Sequence, residues 1–174
     1  LTTCAKKFGY NQLRVSGNEP TIGKEHLLEL LGLIEQTNYK FILESNGILI
    51  DTDYARQLSK FRCVHARISI KGTNPQEFAL LTGAEPDAFH MQLNGLGNLL
   101  DAGVSCHSAV MLSFSSKKDL ESLKIRLHEI DAASARRLEE EYVFLYPHVV
   151  TRLNQAGVKP FTAYKPERIP KELV

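Results

Sequence analysis

The chain has 174 residues, 43% of them hydrophobic and 24% charged, with a formal net charge of +1. That length supports one domain with a sizeable core. The near-neutral balance makes no electrostatic case for nucleic acid, and no run approaches the ~18–20 apolar residues of a membrane span. Cys4, Cys63 and Cys106 are too few and too widely spaced for a secreted disulfide framework. With no signal-like start, a cytoplasmic location is the expectation.

Residues 1–9 read as the end of a helix, with Leu1 and Ala5 one turn apart and Gly9 placed to stop it. A strand is predicted over 11–16, where Leu13 and Val15 alternate with Arg14 and Ser16. It runs into Gly17-Asn18-Glu19-Pro20. Pro20 lacks an N–H and biases Glu19 toward an extended backbone, while Gly17 allows a ligand close to the main chain. A carboxylate on a stiff loop at the mouth of a strand suits an ammonium group. The same tetrapeptide also serves as a plain strand-to-helix turn.

Leu27, Leu31 and Ile34 mark an amphipathic helix over 24–36. Tyr39 to Ser45 is a strand leading into Asn46-Gly47, and Asp51 or Thr52 caps a short helix to about Lys60. Val64 to Lys71 is the clearest strand. Asn74, Pro75 and Glu77 then form a helix start, with the Glu reaching back. After a break near Gly83, Phe89, Leu93, Leu96 and Leu100 mark a helix that Gly103 ends. A strand comes next over 107–114. Ser116 caps a helix whose Leu120, Leu123, Leu127 and Ile130 face inward. Ala132 to Glu141 is predicted helical, and Tyr142 to Tyr146 either extends that helix or forms a strand. Residues 147–156 are helical again, and 158–174, with three prolines, form an irregular tail.

Strand and helix alternate, which means parallel strands joined by crossover helices. A further strand is expected before Leu1. Arg67, Ser69 and Lys71 oppose Ala66, Ile68 and Ile70, and Ile42, Glu44 and Asn46 oppose Phe41 and Leu43. A sheet covered on both faces would read as near-continuous apolar runs, and an isolated dry charge costs more than packing returns. These polar faces are therefore wet or mutually paired. The expected fold is α/β, a partial (βα) barrel over residues 1–157 with parallel strands, helices outside and a polar interior. The alternative is a non-catalytic binding or scaffold domain in which Glu19, Glu44, Arg67 and Lys71 form a structural ion-pair network.

Ligands of parallel α/β folds lie at the carboxyl ends of the strands. Here those ends are Ser16-Gly17-Asn18-Glu19, Ser45-Asn46-Gly47, Ser69-Ile70-Lys71-Gly72 and Ser113-Phe114-Ser115. Their donors suit a zwitterion that carries a ribose. Glu19 would take an amino group, Lys71 and Ser69 a carboxylate or hydroxyls, and Ser113 a further polar contact. Ser115 and Ser116 read better as turn or cap residues. A Schiff base on Lys71, as in an aldolase-like lyase, is a third reading. Cys63-x-His65 and Cys106-His107 pair thiols with imidazoles in a way that can make a zinc site. Buried thiols more often simply pack, and no metal ligand is assigned.

The run Arg14-Val-Ser-Gly-Asn-Glu-Pro20, then a helix, then a strand ending in Ser45-Asn46-Gly47, resembles the radical S-adenosylmethionine (radical SAM) family. The family's loop usually reads Gly-Gly-Glu-Pro and holds the amino group of the methionine moiety; Asn18 stands in place of the second Gly. Ala66 to Gly72 is similar to the family's fourth strand. Thr73 to Gly83 is similar to the segment after that strand in relatives of the glycyl-radical activating enzymes. The resemblance covers about residues 1–130. It implies S-adenosylmethionine contacts at Ser16, Gly17, Asn18, Glu19, Asn46, Ser69, Lys71 and Ser113. It also implies reductive cleavage to a 5′-deoxyadenosyl radical, an electron donor such as flavodoxin or ferredoxin, and a small-molecule or protein substrate. The family's [4Fe–4S] cluster is held by Cys-x-x-x-Cys-x-x-Cys after its first strand. Cys4 on a helix and Cys63 and Cys106 at strand starts do not supply that set of close thiolates. A partial catalytic domain is expected, with a cluster only if the cysteine motif lies outside this chain.

Overall fold

The structure, a computed structural model, describes residues 7–173. β1 (Gln12–Val15), β2 (Lys40–Ser45), β3 (Val64–Lys71), β4 (Ser105–Met111) and β5 (Glu139–Glu141) make one sheet in that order. The strands run parallel, with Leu13 opposite Phe41, Leu43 opposite Ala66 and Ala109 opposite Glu139. Parallel neighbours need crossover connections, and these carry α1 (Lys24–Glu35), α2 (Thr52–Leu58), α3 (Pro75–Thr82) with α4 (Ala88–Asp101), and α5 (Lys117–Ile130). The α/β class with parallel strands is as expected.

The chain divides into two compact units. One holds the described residues up to Ser69 together with His90–Ser108; the other holds Ile70–Phe89 and the residues from Ala109 onward.

In the first unit α1 buries Leu27, Leu31 and Ile34, the stripe its spacing predicts. β2 buries Phe41, Leu43 and Ser45 and leaves Ile42 and Glu44 half-buried. Each fully buried aliphatic or aromatic side chain stabilises by roughly 1.5–3 kcal/mol. The loop after β2 lies directly against α4. A Cβ on Gly95 would overlap the Gly47 carbonyl, and Asn98 Nδ2 donates to the Ile50 carbonyl at 2.8 Å. Only glycine permits that approach.

In the second unit Phe78 of α3 and Phe89 pack with ring centroids 6.3 Å apart, and α5 buries Leu123 and Leu127. β6 (Val143–Phe144) and β7 (Ala163–Tyr164) pair in parallel across α6 (Pro147–Ala156).

Three expectations change. The helix over Ala132 to Glu141 does not form. Asp131 accepts from the Ala133 N–H and the Ser134 hydroxyl, both at 3.0 Å, a local turn that competes with helix. Glu139–Glu141 instead becomes β5, where the ladder to β4 outweighs the poor strand propensity of glutamate. The strand expected over 107–114 is Ser105–Met111, and Ser113 falls in the turn after it. The tail from 158 is not wholly irregular: it contributes β7 and two 3-10 turns, Pro166–Arg168 and Lys171–Leu173. Cys4 and most of the helix expected over 1–9 lie outside the described residues.

Candidate functional site

β1 ends at Val15, and the backbone then takes Gly17 at φ +94° and Asn18 at φ +51°. Asn18 is the one non-glycine with positive φ among the described residues. Asparagine tolerates that conformation better than most L residues, so it fills the backbone role of a second glycine. A Cβ on Gly17 would meet nothing within 4 Å. Torsion, not crowding, demands glycine there, and the surrounding space is open.

Glu19 is extended, with φ −127° and ψ 101°, as the following proline favours, and it caps the 3-10 turn Pro20–Gly23. Its Oε1 accepts from the Thr21 N–H (3.1 Å), the Thr21 hydroxyl (2.5 Å) and the Ser45 hydroxyl (2.7 Å), and its Oε2 from the Asn46 N–H (2.7 Å). Ser45 Oγ in turn accepts from the Gly47 N–H at 3.0 Å, and Asn46 Oδ1 from the Ile48 N–H at 2.9 Å. A carboxylate offers about four lone-pair sites, two on each oxygen. Oε1 is therefore filled and Oε2 keeps one. Nearby, the Tyr54 hydroxyl donates to the Thr21 carbonyl at 3.4 Å. Burial, and then the charge of Glu19, push the Tyr54 pKa up to about 12, so it remains a donor.

On β3, His65, Arg67, Ser69 and Lys71 share the half-buried face opposite Val64, Ala66, Ile68 and Ile70. Glu44 Oε1 meets Arg67 Nη1 at 3.4 Å and also pairs with Arg14. The expected ion network is thus corrected in membership. Glu44 and Arg67 belong to it and Arg14 joins them, whereas Glu19 is held by hydroxyls and amides.

In the second unit Lys71 Nζ lies 3.4 Å from Glu141 Oε2, an ion pair in place of the apolar surroundings that the lyase reading needs. Ser113 is fully buried. Its hydroxyl accepts from the Val143 N–H at 2.7 Å, and its carbonyl from the Phe161 and Thr162 N–H groups. Glu77 Oε2 gathers the Thr73 N–H and hydroxyl, each at 2.8 Å, and the Ser115 hydroxyl at 2.6 Å. Asn74 caps α3 by accepting from the Glu77 N–H at 2.9 Å. The back-reaching Glu77 therefore bonds one residue before the cap.

Of the predicted site residues, the structure brings the Glu19 loop and Asn46 into direct contact, sets Ser69 and Lys71 on one face of β3, and builds Ser113 into the fold. Sequence reasoning missed Thr21 and Ser45 as the groups that hold Glu19. The polar pair Thr21 and Glu19, two residues apart, was the available signal for one of them.

The Cys63 N–H donates to Glu35 Oε2 at 2.8 Å. Burial, and then the hydrogen bond to Glu35, push the Cys63 thiol up to about 12. Cys106 is buried. Among the described residues no group of three or more His, Cys, Asp or Glu side chains is placed to hold a metal ion. They do not fit a [4Fe–4S] cluster, which needs several thiolates within reach.

The family model for the radical SAM superfamily matches residues 2–125. The chain belongs to that superfamily. It is 27% identical over 124 residues to a probable GTP 3′,8-cyclase of Pyrobaculum aerophilum, covering 71% of this chain and 39% of that protein. The chain thus spans about two-fifths of that relative's length. SuiB of Streptococcus suis, solved with S-adenosylmethionine bound, is similar with a TM-score of 0.62 and 17% identity, over 90% of this chain and 38% of SuiB. A domain of a pyruvate-formate lyase-activating enzyme from Bacteroides vulgatus is similar with a TM-score of 0.55 and 15% identity, over 84% of this chain and 95% of that domain. At these identities the likeness is one of fold, the partial (βα) barrel expected from the sequence. No helix among the described residues is long and apolar enough to cross a membrane.

Proposed function

We propose that this chain is the S-adenosylmethionine-binding part of a radical SAM enzyme, which in its intact form cleaves that molecule reductively to a 5′-deoxyadenosyl radical. The supporting observation is the Gly17–Glu19 loop, clasped to the end of β2 through Ser45 and Asn46. The remaining lone pair of Glu19 Oε2 and the carbonyls of the left-handed pair Gly17-Asn18 would receive the ammonium of the methionine moiety, and Ser16 edges the same loop. Because Glu19 is bound before any ligand arrives, little ordering is left to do on binding. Asn46 acts by holding the clasp. Ser69 and Lys71 offer a hydroxyl and a cation to a carboxylate or ribose, and Ser113 anchors the turn after β4. These residues bind and orient. An electron donor such as flavodoxin or ferredoxin, a small-molecule or protein substrate and a cytoplasmic location belong to the same proposal.

The test is anaerobic reconstitution of the intact protein with iron and sulfide, then reduction and an assay for 5′-deoxyadenosine. Product is expected, and Glu19→Ala should lower S-adenosylmethionine affinity by about tenfold or more. A cluster-loaded, reduced preparation that makes none would sink the reading. A second reading, a non-catalytic scaffold, draws on the Arg14–Glu44–Arg67 network. It expects no S-adenosylmethionine binding at all.

A further inference from the structure

Three donors converge on one oxygen of Glu19. The Thr21 hydroxyl reaches Oε1 at 2.5 Å, the Ser45 hydroxyl at 2.7 Å and the Thr21 N–H at 3.1 Å. Among the described residues Oε2 takes one donor, the Asn46 N–H at 2.7 Å. Both hydroxyls are shut away from water, Thr21 being 2% exposed and Ser45 3%. A buried hydroxyl that loses its acceptor is left unsatisfied at a cost in free energy, so neither turns from Glu19 to solvent. Bonds to a charged acceptor are also roughly twice as strong as those between neutral groups.

The two hydroxyls arrive from different places. Thr21 belongs to the turn that Glu19 itself caps, and the Tyr54 hydroxyl of α2 holds the Thr21 carbonyl. Ser45 is the last residue of β2, and its Oγ also accepts from the Gly47 N–H at 3.0 Å. A glutamate carboxylate otherwise rotates over a broad range of its last torsion and presents either oxygen to water or to any donor. Here rotation breaks bonds on both oxygens. The carboxylate plane is therefore fixed, and the open acceptor direction lies on Oε2.

We propose that Thr21 and Ser45 are positioning residues that make the Glu19 loop selective for a ligand bearing an amino group. The inference rests on the assignment of that loop to the methionine moiety of S-adenosylmethionine, and it adds the residues that decide selectivity. A ligand with an N–H donor completes Oε2. A ligand without one covers a half-buried carboxylate and leaves a lone pair unmet. Once either hydroxyl is removed, the carboxylate can turn toward water or another group, and the difference between the two ligands shrinks.

The test is equilibrium binding of S-adenosylmethionine, and of its analogue without the amino group, to the intact, cluster-loaded protein kept oxidised so that neither is cleaved. The parent should prefer S-adenosylmethionine by about tenfold or more. Thr21→Val, which keeps the shape and removes the hydroxyl, and Ser45→Ala should each weaken S-adenosylmethionine binding by about tenfold. Each should change the affinity of the analogue by less than about twofold. Thr21→Ser restores the hydroxyl and should keep the parent's preference. Because both ligands are compared on one folded variant, a change in stability cancels from the ratio, and Ser45→Ala carries the test if Thr21→Val does not fold. Equal losses for both ligands, an undiminished preference in Ser45→Ala, or a lost preference in Thr21→Ser overturns the inference. If Glu19→Ala loses the preference and neither hydroxyl variant does, the loop assignment stands and this inference falls. A parent without any preference, unchanged by Glu19→Ala, overturns the loop assignment and this inference with it.

Discussion

After β1, Glu19 collects the N–H and hydroxyl of Thr21 and the hydroxyl of Ser45. After β3, Glu77 collects the N–H and hydroxyl of Thr73 and the hydroxyl of Ser115. Both carboxylates come after a strand and both stand near a proline; Glu19 takes a serine from the last position of the next strand, and Glu77 one from the turn that follows the next strand. The glycines beside them differ. Gly17, at φ +94°, has open space where a Cβ would be. Gly72, at φ +77°, would place a Cβ 2.6 Å from Glu77 Cβ and 3.0 Å from the Phe78 nitrogen. One clasp leaves its loop accessible and the other closes it with packing. A carboxylate clasp is therefore a way to fix a strand-end loop, and the space left beside it decides whether a ligand can use the loop.

The sharpest way to break that comparison is alanine at each glycine. Gly72→Ala meets both strain and overlap and should cost about 3 kcal/mol, whereas Gly17→Ala meets strain alone and should cost about 1 kcal/mol. Equal midpoint shifts in urea would remove the distinction. Next in size, Glu19→Gln should cost about 1–2 kcal/mol, because both its oxygens accept and an amide nitrogen cannot, whereas Glu77→Gln, whose single amide oxygen can take over all three bonds of Oε2, should cost less than about 1 kcal/mol. Only Glu19→Gln should also weaken S-adenosylmethionine binding in a titration, and a matching loss in Glu77→Gln would erase the functional difference between the clasps. Asn18→Gly should change stability by less than about 1 kcal/mol and leave ligand affinity intact, since the backbone already adopts the glycine conformation. A large loss of affinity would assign the Asn18 side chain a direct role.

The smallest effect concerns a third carboxylate outside both clasps. Glu35 is held below its ordinary range, chiefly by the Cys63 N–H. A depressed carboxyl lends stability above its unfolded pKa and loses it as the pH falls through the folded value. Glu35→Gln should therefore lower stability slightly at neutral pH and flatten the acid limb, the two proteins converging well below the ordinary glutamate value of 4.5. An unaltered acid limb would show that the bond contributes nothing measurable.

Much of this fold was legible before any coordinates. The stripe Leu27, Leu31 and Ile34, the cap at Asn74 with Pro75 behind it, the stop at Gly83 and the alternation along Val64–Lys71 all arise from interactions within a few residues. Local sequence carries such interactions in full, and so it also placed a carboxylate on a turn after the first strand. Tertiary structure alone decided what that carboxylate touches. Ser45 reaches Glu19 from 26 residues away, His65 meets His107 across 42, and three glutamates become a strand because β4 offers them a ladder. Hydrogen-bonding groups accept whichever partners the chain's path delivers, and that path is set by the packing of the whole core, which no short window of residues contains.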